Sequence, residues 1–275
     1  MANDLRKMYT TRTESRFPDE MEVMGITYVK VEDLRYGTNP HQPFAAYAPS
    51  GGAGLSIGGL EMLKGGKAGL SLTNLQDMSQ AINILKYFTK PACTIMKHVN
   101  PCGFKVQTQG ESLEQIYRCA RACDERSAFG GIVGFNVTVD AATAEAIMET
   151  FIEGVIAPGY DAAALEILRR TEGTKKLNNA IRVVRAPHMD KLPKFFGDSI
   201  EGLLTVRSLV DGTLTFEMPY LTRIKSPADF ICDPMIPNAD PKKNNGCDFV
   251  VNRRPTEQEL QDCLTAWYVN INVRS

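Results

Sequence analysis

Between Ala92 and Val184 short apolar runs alternate with segments of helical period, and this alternation restricts the chain more than any other feature. Ala92-Cys93-Thr94-Ile95-Met96 is small, apolar or β-branched throughout, the pattern of a strand buried on both faces. Ser112 to Asp124 carries Leu113, Ile116, Tyr117, Ala120 and Cys123 at helical spacing. Ile132–Val139 predicts a strand, Ala141–Thr150 a helix, Gly154–Ala157 a short buried strand, Ala162–Arg169 a helix and Ile181–Val184 a further strand. Such alternation predicts α/β layers around a sheet that is at least partly parallel.

The apolar run at 92–96 breaks into Lys97-His98-Val99-Asn100-Pro101-Cys102-Gly103. The expectation is a strand ending at Lys97 and His98, with Asn100-Pro101 and Gly103 turning the chain away. Ligands of open α/β sheets bind outside the carboxyl ends of strands. An ammonium and an imidazole there form a candidate proton-carrying site. A surface lysine beside a capping histidine would read the same, and these residues alone leave both readings open.

Upstream, Met24–Val31 predicts an edge strand. Leu34-Arg35-Tyr36-Gly37-Thr38-Asn39-Pro40-His41-Gln42 has the chemistry of a turn, yet it carries groups that recognise ligands. An arginine fork suits a phosphate; a polar surface loop is the plain alternative. Gly51–Lys67 is glycine-rich, but no Ser or Thr follows Lys67, so a nucleoside-triphosphatase loop is rejected. Leu72–Phe88 predicts an amphipathic helix, with Thr73 or Asn74 as N-cap and Asp77 in its first turn. Asn74 and Asp77 suit either capping or a ligand at the helix start.

Downstream, Gly130-Gly131 allows close approach of a backbone to a ligand. Past Arg185 the texture changes. Leu203–Leu209 predicts a strand, residues 219–246 a long loop or insertion, and Phe249-Val250-Val251 a strand. Thr256 with Glu259 forms a capping box opening a last helix through Tyr268.

A chain of 275 residues is expected to hold more than one core. Its net charge of −1 supplies no basic field for nucleic acid. No apolar run approaches the ~20 residues that span a bilayer, and the polar start, Met1 to Glu22, is unlike a secretory signal. The 7 scattered cysteines read as reduced thiols of a cytoplasmic protein, with Cys119 and Cys123 expected to pack against a core. His41, His98 and His188 offer no local zinc spacing.

Several stretches, in register from about residue 30 to the end, carry a family resemblance. They are Leu34-Arg35-Tyr36-Gly37 with Asn39-Pro40-His41-Gln42; Asn74-Leu75-x-Asp77; Lys97-His98-x-Asn100-Pro101-Cys102-Gly103; and Ser127-Ala128-Phe129-Gly130-Gly131. Glu153-Gly154-x-Ile156-Ala157-Pro158-Gly159-Tyr160, Glu201-Gly202-Leu203-Leu204 and Arg253-Arg254-Pro255-Thr256 with Ala266-Trp267 complete the set. Together they resemble the transformylase part of the AICAR transformylase/IMP cyclohydrolase family of purine synthesis.

That resemblance implies a cytidine-deaminase-like three-layer α/β/α fold, repeated twice in the family, and a homodimer with active sites between subunits. It implies formyl transfer from the co-substrate 10-formyltetrahydrofolate to the 5-amino group of the aminoimidazole carboxamide ribonucleotide, AICAR, with no metal required. Lys97 and His98 match the catalytic pair. Arg35 and Tyr36 match nucleotide contacts, Arg35 toward phosphate. Gly130 and Glu153 match substrate-binding positions, and Asn74 and Arg126 match positions near the site. The deaminase's zinc signature, His-x-Glu with Pro-Cys-x-x-Cys, is missing, which disfavours a zinc deaminase.

The expected organisation is an arm at 1–23, a first domain at 24–186, and a partial second domain at 187–275 with the insertion at about 219–246. The family's cyclohydrolase domain has no match here, so ring closure is not expected. The family would continue past Ser275 with a second half carrying much of the folate site. The leading expectation is a formyltransferase. The alternative is a nucleotide-binding or scaffolding module derived from it, inactive for want of the folate half.

Overall fold

A computed structural model describes residues 17–39, 41–50, 57, 60–66, 69–171 and 178–273. Most of the predicted arm, much of the glycine-rich stretch including Lys67, and the last two residues lie outside the described residues. The chain divides into two compact units, Met1–Leu192 with Asn272–Ser275, and Pro193–Ile271.

The first unit opens with a three-stranded antiparallel sheet of β1 (Glu20–Val23), β2 (Ile26–Leu34) and β3 (Phe44–Pro49). The strand predicted near Met24–Val31 is therefore the middle strand of this sheet, not an edge. Residues 20–23, assigned to the arm, pair with it.

The main sheet has six strands: β4 (Glu61–Lys64), β5 (Ala92–Lys97), β6 (Asn100–Val106), β7 (Ile132–Phe135), β8 (Gly154–Ala157) and β9 (Arg182–Arg185). Their order is β4-β9-β8-β7-β5-β6. β7, β8 and β9 are parallel, while β5, β6 and β4 join antiparallel.

Successive side chains of a strand point to opposite faces, and both faces are covered. Cys93, Ile95, Val133, Phe135, Val155, Ala157 and Val183 are buried in one core cluster with residues of α2 (Leu113–Ala122), α4 (Ala141–Met148) and α5 (Ala162–Arg169). On the other face lies α1 (Leu72–Leu85): a Cβ at Gly134 would come 2.9 Å from Ala81 Cβ, and one at Gly154 would come 3.1 Å from Met78 Cε. The first unit is thus a mixed α/β layer structure with helices on both faces of the sheet. A four-residue helix, α3 (Glu125–Ala128), leads into β7.

The capping of α1 differs from the expectation at Thr73 or Asn74. Ser71 is the N-cap, and Asn74 is the third helical residue of a reciprocal capping box. Asp77 lies one turn further on.

Burial sorts the thiols. Cys93 is fully buried, and burial pushes its thiol well above the ordinary range. Burial also raises half-buried Cys102 to about 11. Cys119 and Cys123, expected against the core, are exposed: α2 turns Leu113, Ile116, Tyr117 and Ala120 inward instead. Because the thiolate is the nucleophile, iodoacetamide at about pH 8 is expected to modify Cys119 and Cys123 in the native protein and spare Cys93 and Cys102. Peptide mass spectrometry checks this.

The second unit contains two small antiparallel ribbons, β10 (Thr205–Ser208) with β11 (Leu214–Glu217) and β12 (Met235–Ile236) with β13 (Phe249–Val250). Its helix α6 (Glu257–Asn270) begins at the predicted capping box, Thr256 accepting from the Glu259 amide. Trp267 Nε1 donates to Thr222 Oγ1 at 2.8 Å, and Tyr268 donates to the Lys225 carbonyl at 3.0 Å. These bonds tie the start of the 219–246 segment to the last turn of α6.

Candidate functional site

The candidate pair stands at the end of β5, but the chain does not leave as the sequence predicts. Lys97 pairs with Asn100, so β5 and β6 form a hairpin whose two turn residues are His98 and Val99. Both have positive φ, 53° and 69°, as a two-residue turn matched to strand twist requires. Asn100, Pro101 and Gly103 lie in β6, with the register irregular at Cys102. Proline is tolerated there because β6 is an edge strand.

The carboxyl-end expectation also needs correction. β5 runs antiparallel to β7, so its carboxyl end meets the amino ends of β7, β8 and β9. The turn at Pro158-Gly159 follows the other end of β8. Backbone bonds link the near ends: the Glu153 amide donates to the Gly131 carbonyl, and the Arg182 amide to the Glu153 carbonyl, both at 3.0 Å.

Lys97 is half-buried, and its Nζ donates to the carbonyls of Phe129 (3.1 Å) and Gly130 (2.9 Å). Gly130 has φ +68°, and a Cβ there would lie 3.2 Å from Lys97 Nζ and 3.1 Å from Phe151 Cε1. Gly130→Ala is therefore expected to cost about 1–2 kcal/mol from the left-handed backbone alone and to push the ammonium aside. Urea unfolding measures the first effect.

His98 is exposed. Behind it, Asp77 Oδ1 accepts the Val99 amide at 2.5 Å. Asp77 is buried. Burial raises its carboxyl above the usual range, and Glu153 adds to this, while the Val99 amide and the charges of His98 and Lys97 pull it down.

On the other side, Asn74 Nδ2 donates to Glu153 Oε2 at 2.9 Å. Its Oδ1 accepts from the Ser71 amide and hydroxyl. Asn74 thus completes the capping box of α1 and holds a carboxylate at once. Arg182 is buried in β9, and its Nε donates to the Gly69 carbonyl at 2.8 Å. Its Nη1 donates to the Glu153 carbonyl at 3.3 Å and lies 4.0 Å from Glu153 Oε2. Burial, then the nearby charge of Arg35, lowers Arg182 below the usual guanidinium range.

Arg35, also buried, donates from Nη2 to the Tyr36 hydroxyl at 3.1 Å, its guanidinium 4.6 Å from the centre of that ring. The loop is anchored by the Arg35 amide on the Leu70 carbonyl and the Leu72 amide on the Tyr36 carbonyl. Arg126 is exposed on α3. Asp124, held below the usual carboxylate range first by Ser127, is lowered further by the Arg126 amide and charge. Lys97, His98, Gly130, Glu153 and Asn74 are thus joined through direct contacts and adjoining strand ends. Arg35 with Tyr36 is connected to them through the field of Arg182. Among the described residues no group of three or more His, Cys, Asp or Glu is placed to hold a metal ion, and no helix is long and apolar enough to cross a membrane.

The family model described as AICARFT/IMPCHase bienzyme matches residues 2–275. The chain belongs to this family. It is 36% identical over 267 residues to the bifunctional purine biosynthesis protein PurH of Oceanobacillus iheyensis, covering 97% of this chain and 44% of that protein. It is 37% identical to PurH of Xanthomonas oryzae, covering 97% and 42%, and 33% identical to that of Dictyostelium discoideum, covering 90% and 40%. The chain therefore spans less than half the length of these relatives.

In this bienzyme-family chain, Arg182 and the anchoring role of Asp77 were not drawn from the sequence. Arg182 lies inside the apolar run Ile181–Val184, whose pattern predicts only a strand. An arginine flanked by Ile181, Val183 and Val184 carries a signal nonetheless, because a buried cation needs partners.

Proposed function

We propose that this chain binds AICAR and takes part in transfer of a formyl group from 10-formyltetrahydrofolate to its 5-amino group, in purine biosynthesis. Membership of the bienzyme family supports the reading. The observation that carries it is the hairpin end, where a half-buried ammonium is held by two carbonyls next to an exposed imidazole on a turn of two positive-φ residues.

The chemistry suits these groups. The substrate amine is a poor nucleophile because its lone pair is delocalised into the ring and carboxamide. His98 would take a proton from it as the nitrogen attacks the formyl carbon, a general-base task that an imidazole suits. Lys97, with two of its three N–H bonds on carbonyls, would donate one hydrogen bond to the resulting oxyanion and then pass that proton to the folate nitrogen as its bond to the formyl carbon breaks. The products are the formamido ribonucleotide and tetrahydrofolate. Arg35 and Arg182, two buried guanidiniums near enough to repel each other, provide the positive field that a phosphate dianion would neutralise. Tyr36, Gly130, Glu153 and Asn74 would shape the nucleotide site, with Arg126 at its margin.

The same reading extends to a cytidine-deaminase-like fold for the six-stranded unit, a homodimer, and a cytoplasmic location. The test supplies AICAR and 10-formyltetrahydrofolate to the purified chain and follows release of tetrahydrofolate, with nucleotide binding measured by calorimetry. Transfer supports the reading. Binding without transfer supports the module alternative. Loss of both overturns the nucleotide assignment.

A further inference from the structure

Val99 is a β-branched residue at φ 69°, in the region such residues avoid most. It follows another non-glycine residue at positive φ, His98. The usual turn chemistry here is Asn-Gly or Asp-Gly, which tolerates these angles without help. A His-Val pair needs an external hold, and strained backbone persists only where its surroundings over-determine it.

Asp77 supplies the hold. It comes from another layer, on α1, and its buried carboxylate accepts the Val99 amide at 2.5 Å. Asn74, three residues earlier and so on the same helix face, grips Glu153. One face of α1 therefore reaches both the imidazole-bearing turn and the carboxylate beside Arg182.

We propose, on the reading of Lys97 and His98 as the transfer pair, that Asp77 is a positioning residue: by bonding the Val99 amide it locks the turn that presents His98. It touches no reacting atom. Its effect passes through the conformation of residues 98 and 99, so a glycine at 99 should replace part of what Asp77 does.

The test uses the full chain with Asp77→Ala, Asp77→Asn, Val99→Gly and the double variant Asp77→Ala/Val99→Gly. Hydrogen exchange of the Val99 amide and the His98 ring signals are read by NMR, alongside kcat, KM and thermal stability. In Asp77→Ala the Val99 amide is expected to lose protection and the His98 ring signals to broaden. A misplaced group can cost about 10²-fold, so kcat should fall by about that factor, with nucleotide KM little changed. Asp77→Asn keeps the acceptor oxygen and should recover about tenfold or more of the loss, as should Val99→Gly in the Asp77→Ala background.

Unchanged Val99 protection and sharp His98 signals in Asp77→Ala overturn the proposal. So does a kcat loss that neither rescue restores while stability falls, because Asp77 would then serve only packing. If the unaltered chain transfers no formyl group, the functional reading fails on its own, and the amide and ring signals still decide whether Asp77 positions His98.

Discussion

His98→Ala is expected to lower formyl transfer by about 10²–10⁴-fold while ribonucleotide affinity stays within a small factor of the original. The imidazole is exposed at the tip of the β5–β6 turn, so its removal opens no cavity and leaves no buried polar group unpaired. Lys97, held by Phe129 and Gly130, should keep its place. The loss would then fall on the proton transfer itself, seen as a lower kcat with little change in thermal stability. Steady-state kinetics with calorimetric binding separates the two. Turnover near that of the unaltered chain would remove His98 from the mechanism.

Gly103→Ala is expected to give the largest loss of stability, about 3 kcal/mol. Gly103 lies on β6 where α2 crosses the sheet, and a Cβ there would come 2.0 Å from the Ala120 carbonyl oxygen and 2.9 Å from its carbon. The obstacle is helix backbone, which cannot swing aside as the tip of a side chain can. Relief requires α2 to shift, and with it Leu113, Ile116, Tyr117 and Ala120, all buried in the core of the first unit. The control is Gly65→Ala, where a Cβ would meet nothing within 4 Å. Urea unfolding should show a lower midpoint for Gly103→Ala and nearly none for Gly65→Ala; equal midpoints would contradict the packing described here.

The elements of the first unit were legible where burial decides them. Gly154–Ala157 and Ala162–Arg169 are the strand and helix their periodicity predicts. The Thr256 capping box starts its helix where the residues indicate. Both signals are local: a side chain and backbone a few residues apart, or an apolar repeat that needs a core on one side or on both. The motif around Lys97 and His98 was likewise visible, and so were the other stretches that carry the family.

The shape of the site was not. The His98-Val99 turn has none of the residues that announce a tight hairpin, so the polar and Pro/Gly residues after it drew the turn to the wrong place. Its conformation is held by Asp77, 22 residues away in sequence and in another layer. Nor could strand direction be read from the run itself, and the antiparallel entry of β5 is what brings Lys97 to the amino ends of β7, β8 and β9. Arg182 becomes a candidate only where the sheet sets it beside Glu153 and within the field of Arg35. Local sequence determines which segments are strands and helices and which side chains carry chemistry, because those choices rest on short-range periodicity and residue type. Only the tertiary structure decides which of those side chains meet, because strand order, strand direction and a strained turn are held by contacts between residues far apart in the chain.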